Sequence, residues 1–88
     1  HSCGIETSGQ LNCWGWGLYG QLGLGSSNSW LIPRPVIPSM ARVDLGARHT
    51  CAISTTDIAY CWGANTSGQV GISSSDPQIK TPAELPNF

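Results

Sequence analysis

The chain writes nearly the same text twice, and that repetition limits its folds more than any other feature. Residues 1–23, HSCGIETSGQLNCWGWGLYGQLG, return without a gap as residues 49–71, HTCAISTTDIAYCWGANTSGQVG. His1 matches His49, Cys3 matches Cys51, Cys13 matches Cys61, Trp14 matches Trp62 and Gln21 matches Gln69, each pair 48 positions apart (49 − 1, 51 − 3, 61 − 13). A unit this short that recurs in register is one supersecondary module, unable to bury its apolar face alone and covered by its neighbour. The register sets a first repeat at residues 1–40, incomplete at its start, and a second at residues 41–88. Phe88 falls on Met40, so the chain is expected to begin inside one unit and stop between two, as a fragment of a larger array does.

Within each unit the pattern is that of short strands. Residues 2–5 and 11–14 read as two strands around a turn at 6–10, and residues 50–54 and 58–62 as their copies around 55–57. In the second copy Cys51 and Ile53 alternate with Ala52 and Ser54, the period of two expected of a strand. Asp57 stands in the second turn where Gly9 stands in the first, and Asp tolerates a left-handed turn conformation better than most side chains. Residues 15–23 and 63–71 each close on Gly-Gln-hydrophobe-Gly, expected as tight turns around a short strand. Residues 24–28 and 72–76 are Ser-rich and read as exposed loops. Residues 30–38 and 78–86 are extended segments whose prolines exclude helix and central strand pairing. Residues 42–45 form a brief strand leading into the second hairpin, and no stretch predicts a helix. The fold class is therefore all-β, in keeping with 11 glycines and 6 prolines among 88 residues.

At the second unit's HTC…YCWG-x-N-x-x-GQ-x-G the sequence resembles the regulator of chromosome condensation repeat family. Val43, Gly46, His49, Thr50, Trp62, Gly63, Asn65, Gly68, Gln69 and Gly71 occupy the family's pattern. The first unit keeps His1, Gly9, Trp14, Gly15, Gly20, Gln21, Leu22 and Gly23, and departs at Gly17, where the family has Asn. The resemblance implies that the units are antiparallel blades of a β-propeller. It implies much less about activity, because one fold hosts unrelated functions. Light-sensing members carry Gly-Trp-Arg-His-Thr, whereas this chain has Gly46-Ala47-Arg48-His49-Thr50. Secreted members with cysteines in the two hairpin strands are the nearest in pattern.

The cysteines carry the sharpest chemistry. Cys3 and Cys13, like Cys51 and Cys61, are ten positions apart, and each pair is centred on turn residues, Ser8 and Thr56. Directly opposed residues of a hairpin sit roughly 4.5–5.5 Å apart at Cα, within disulfide reach. The pairing expected is Cys3–Cys13 and Cys51–Cys61, local and the same in both repeats, each worth roughly 2–3 kcal/mol in the chain-entropy account. Free thiols and a four-cysteine metal site are the alternatives, the latter disfavoured because such ligands come as C-x₂-C pairs. Disulfides place a protein in an oxidising compartment, hence outside the cell or on its surface.

The remaining candidates are weighed against plain structural roles. The repeated His1 and His49 read as groups bonding backbone at a strand entry, and the repeated Trp14 and Trp62 as packing between blades. Trp16 and Trp30 lack counterparts, facing Ala64 and Gln78 in register, so they are the candidates for binding a partner or a sugar. Asn65-Thr66-Ser67 satisfies the N-glycosylation acceptor rule; the serines at 26–27 and 73–75 read first as solvated loop, with O-linked sugar as the alternative. No G-x-S-x-G, H-E-x-x-H or phosphate-cradling loop occurs, and no two acids pair by spacing, so no enzyme, cofactor or metal is expected. A net charge of −1 with only 10 % charged residues offers no footprint for nucleic acid, and no apolar run reaches the about 20 residues of a membrane helix. The expected function is that of an extracellular, non-enzymatic structural or adhesive repeat protein in a polymeric assembly. Its partners would be neighbouring repeats, further copies of itself, and glycans. Two alternatives stand beside it: a secreted propeller that binds or inhibits another protein through its loops, and a carbohydrate-binding module.

Overall fold

A computed structural model describes residues 1–68, 70–71 and 76–85. Among the described residues seven strands form two antiparallel sheets. β1 (Ser2–Ile5), β2 (Leu11–Gly15) and β3 (Trp30–Ile37) make the first, in that order. β4 (Met40–Leu45), β5 (His49–Ser54), β6 (Ala59–Ala64) and β7 (Gln78–Glu84) make the second. Each is a sequential meander of the kind that builds a propeller blade. The described residues include no helix, hence none long and apolar enough to cross a membrane.

Local chemistry explains each hairpin. In the first, the Glu6 amide donates to the Gln10 carbonyl at 2.9 Å and the Gly9 amide to the Glu6 carbonyl at 2.8 Å. In the second, Asp57 adopts φ 66° where Gly9 has φ 93°, so the Asp does take the left-handed place. Ser54 supports it: its hydroxyl oxygen accepts from the Thr56 amide at 3.2 Å and the Ile58 amide at 3.0 Å. The two strand registers pair Cys3 with Cys13 and Cys51 with Cys61, and each pair is joined by a disulfide across 4.1 Å at Cα.

β2 and β6 each carry a glycine at a register shift, Gly15 at φ 99° and Gly63 at φ 111°. A Cβ on Gly63 would lie 2.6 Å from the Arg48 carbonyl oxygen, so only glycine lets β5 and β6 close here. Residues 17–23 are a pair of tight turns, with the Gly20 amide bonded to the Gly17 carbonyl and the Gly23 amide to the Gly20 carbonyl, and the short strand expected there is absent. Gln21 and Leu22 are buried while the backbone turns twice, leaving no extended run to pair. β3 and β7 are edge strands, and their prolines (Pro33, Pro35, Pro82) sit where a missing amide costs no central pairing.

Strand alternation gives each sheet two faces. In the first sheet Cys3, Ile5, Leu11 and Cys13 share one face, and Ser2, Gly4, Asn12 and Trp14 the other. In the second, Thr50, Ala52, Tyr60 and Trp62 share one face, and Cys51, Ile53, Ala59 and Cys61 the other. The core forms between the disulfide face of the first sheet and the tryptophan face of the second: Leu11, Cys13, Leu22, Met40, Ala52 and Trp62 are buried together, with Cys3, Ile5, Val43 and Tyr60 packed against them.

Gly23 marks how tight this contact is. It has φ 75°, and an added Cβ would lie 2.7 Å from Trp62 Nε1 and 2.9 Å from Val36 Cγ1. Gly68, at φ 69°, has nothing within 4 Å of the same position. Both Ala variants therefore carry the conformational penalty, on the order of 1 kcal/mol, but only Gly23→Ala adds overpacking of about 1–3 kcal/mol. Chemical denaturation should rank Gly23→Ala well below Gly68→Ala; equal losses would contradict the packing described.

Candidate functional site

The chemistry of the molecule concentrates on one carbonyl. The Gly20–Gly23 turn carries Gln21, whose backbone oxygen is reached from the second sheet by two donors. The Thr50 hydroxyl donates to it at 2.7 Å and the Trp62 indole Nε1–H at 2.9 Å. Thr50 and Trp62 are directly paired across β5 and β6, which aims both at the same point, and both are fully buried. The His1 Nε2 lies 2.8 Å from the Thr50 hydroxyl oxygen. Thr50 has one proton, already given to Gln21, so the His1 Nε2–H is the donor in this bond. Gln21 secures its own turn by accepting the Tyr19 amide on its side-chain oxygen at 2.8 Å. The cluster is saturated, and among the described residues no buried side-chain nitrogen or oxygen is left without a partner.

This arrangement refines the reading of the repeated residues. Trp62 does pack between the sheets. Trp14, its counterpart, is half-buried on the far face of the first sheet, its ring end over Gly4. His1 bonds a side chain of the other unit rather than a nearby backbone group. The imidazole of His49 instead lies against Gly46, where a Cβ would overlap it. The Gln21 carbonyl was not anticipated, although its signal was present: a polar residue held between two glycines in both repeats.

Asn65, the expected N-glycosylation acceptor, opens a turn closed by the Gly68 amide on its carbonyl at 3.1 Å. It is 5 % exposed, its Nδ2 donates to the Asp76 carbonyl at 3.0 Å and its Oδ1 accepts the Val70 amide at 3.3 Å. Through these two bonds the Asn65 side chain organises the turn. The loop at 24–28 is not simply solvated. The Gly25 amide donates to the Lys80 carbonyl at 2.8 Å and the Ser27 hydroxyl to Gln78 Oε1 at 2.9 Å. Gln78 Nε2 in turn donates to the Leu18 carbonyl at 3.1 Å, so this loop and β7 tie the two units together. The serines at 73–75 lie outside the described residues.

The two unrepeated tryptophans separate. Trp30 packs partly into the core and carries the Arg34 guanidinium 4.1 Å over its ring, so the face that would stack on a sugar is occupied by a cation. Trp16 is 65 % exposed. Gly15 pairs with Trp30, which puts Trp16 at the same end of the sheet, and the Gly17 amide bonds the Ser29 hydroxyl there. Leu18, Leu31 and Ile32 are also exposed; their counterparts in the second unit are Thr66, Ile79 and Lys80, of which Ile79 packs against the core. Among the described residues no group of three or more His, Cys, Asp or Glu side chains could hold a metal ion, and all four cysteines are paired.

Comparison with known proteins agrees with this architecture. Residues 8–53 and residues 41–69 each match a model of the regulator of chromosome condensation (RCC1) repeat. The ultraviolet-B receptor UVR8 of Arabidopsis thaliana is 40 % identical over 53 residues, 56 % of this chain and 12 % of that protein. Among solved structures, human WBSCR16 superimposes with a TM-score of 0.85 at 23 % identity, over 94 % of this chain and 22 % of that one. Yeast RCC1 (Prp20), in a complex with Kap60, gives a TM-score of 0.86 at 24 % identity, over 98 % of this chain and 21 % of that one. The chain thus spans about an eighth to about a fifth of the proteins it resembles.

The shared acceptor makes a specific energetic prediction. Thr50→Val and Trp62→Phe each remove one donor to the Gln21 carbonyl and should each cost about 1–3 kcal/mol. Because the two donors serve one oxygen, the double variant should depart from the sum by at least about 0.5 kcal/mol. Additive losses in a thermal or denaturant double-mutant cycle would show that the two bonds act independently.

Proposed function

The chain belongs to the RCC1 repeat family, and from that premise we propose that it is an extracellular, non-catalytic structural repeat protein that works by contact with other proteins. The observation that carries the compartment is the pair of disulfides, one in each unit at equivalent positions, with no cysteine left over. Cytosolic thiols are held reduced, and a bridge built into the same hairpin of successive repeats is a design for an oxidising environment. Cys13 and Cys61 are buried while Cys3 and Cys51 are half-buried, so each bridge ties a packed strand to its outer neighbour.

Protein contact is supported by the family fold and by what the surface offers. The yeast relative of this fold was solved with Kap60 bound to it. In this chain the exposed Trp16, Leu18, Leu31 and Ile32 supply an apolar display of the kind that protein interfaces use. That display also favours the second reading, a secreted binder that grips another protein with this end. A sugar-binding role would rest on Trp16 alone, since the ring of Trp30 is covered; glycan binding that persists in Trp16→Ala would remove it. Ultraviolet reception, named for the Arabidopsis relative, finds no support at Gly46-Ala47-Arg48-His49-Thr50, where Ala47 offers no chromophore.

Alkylation of the protein purified from its native source, followed by intact mass, tests the compartment. No label should be taken up before reduction, and all 4 cysteines should be labelled after reduction and unfolding. Reduction should also destabilise the fold by about 2–3 kcal/mol per bridge. Uptake of label on the untreated protein would contradict the extracellular reading.

A further inference from the structure

β7 is an edge strand of the second sheet, and a loop of the first unit lies along its outer side. Ile79 pairs with Gly63 of β6, and the Pro77 carbonyl accepts the Asn65 amide at 2.8 Å, so the odd residues of this stretch turn their backbone groups toward β6. The even residues therefore carry their amides and carbonyls on the outer side. Left bare, such a row is a template on which another chain can pair. Three features cover it here. The Gly25 amide donates to the outward Lys80 carbonyl at 2.8 Å. The Ser27 hydroxyl holds the Gln78 side chain at 2.9 Å, and Gln78 Nε2 is tied back to the Leu18 carbonyl at 3.1 Å. The next outward position is Pro82, which has no amide to offer, and the exposed Lys80 places a charge between the two. A groove of about 670 Å³, lined by Ser27 and residues 76–81, runs beside the loop, so the loop is held to this edge at a few polar points.

We propose that residues 24–28 are an autoinhibitory strap: they keep the β7 edge from pairing with the β7 edge of a second copy, and freeing them turns that edge into a self-association surface. The partner follows from the chemistry of the edge. Two identical strands laid antiparallel present donors to acceptors along their whole length, and a contact of this kind is the same patch on both copies, so it closes as a dimer. The strap is suited to the task because its ties are hydrogen bonds at the surface, which open at far lower cost than the buried bonds to the Gln21 carbonyl. Gly25 takes φ 81°, a conformation that lets its amide reach Lys80 and that few other residues adopt. The inference concerns the fold alone and holds whichever compartment the protein occupies.

The test is self-association of the full chain, disulfides intact, by sedimentation velocity across concentration. Gly25→Pro removes the donor amide and Ser27→Ala the hydroxyl. The double variant should keep the Trp62 indole protected from exchange, since that bond lies in the core, yet dimerise at a concentration at least roughly tenfold below that of the wild type. In the dimer the Gln78 and Lys80 amides should become protected from hydrogen exchange. Adding Lys80→Pro removes an outward amide and should reverse the gain, although it also deletes a charge that opposes association. Gln78→Ala cuts both side-chain ties without touching the turn and should shift association in the same direction; it decides the matter if the double variant unfolds. Folded variants that associate no more than the wild type overturn the proposal. So does association that Lys80→Pro leaves unchanged, or that leaves the Gln78 and Lys80 amides unprotected.

Discussion

The oxygen of the Gln21 peptide is the point on which the two units agree. A blade-like sheet has a twisted, half-apolar surface, and apolar packing alone would let a neighbour slide along it. Two donors fixed by cross-strand pairing, Thr50 and Trp62, converge on one acceptor held by a double turn. In a buried setting each bond is costly to leave unmade, so the register between the sheets is specified as well as stabilised. Much else follows from this contact. Glycine at 23 is needed because the indole lies against it, and the His1 ring is oriented by the hydroxyl oxygen that Thr50 presents.

The disulfides act on a different scale. They do not join the units; each staples the hairpin that presents a face. A three- or four-stranded meander of about 40 residues is marginal alone, and closing its central hairpin keeps the face in register before a neighbour arrives. Because Cys3–Cys13 itself forms part of the covered surface, the staple and the packing surface are the same atoms. An array can therefore be low in charge yet ordered: stability is assembled from local closure plus one repeated kind of joint.

Much of this was legible in the letters. The 48-residue register and the Cys-x₉-Cys spacing specify hairpins, and Asp57 in place of Gly9 marks the same left-handed corner in both. The strand bounds follow from alternation and from prolines confined to the edges. What the letters could not give was direction through space. Asn65 reads as a glycan acceptor because the acceptor rule is local, whereas the partners of its side chain, Val70 and Asp76, lie five and eleven positions away. Trp30 reads as a free aromatic because Arg34 four residues on shows its stacking only once β3 is extended. Trp14 and Trp62 are equivalent in the repeat and differ in burial, since the difference lies in which face a neighbour covers.

The joint between units is locked at the Gln21 carbonyl, and indole hydrogen exchange followed by NMR reads that lock directly. The Trp62 Nε1–H should exchange only with global unfolding of the chain, while the indole protons of Trp14 and Trp16 exchange far faster, on the timescale of local motion. A Trp62 indole that exchanged as fast as that of Trp16 would mean that the two sheets separate without unfolding, and that the bonds to the Gln21 carbonyl are not what holds them together.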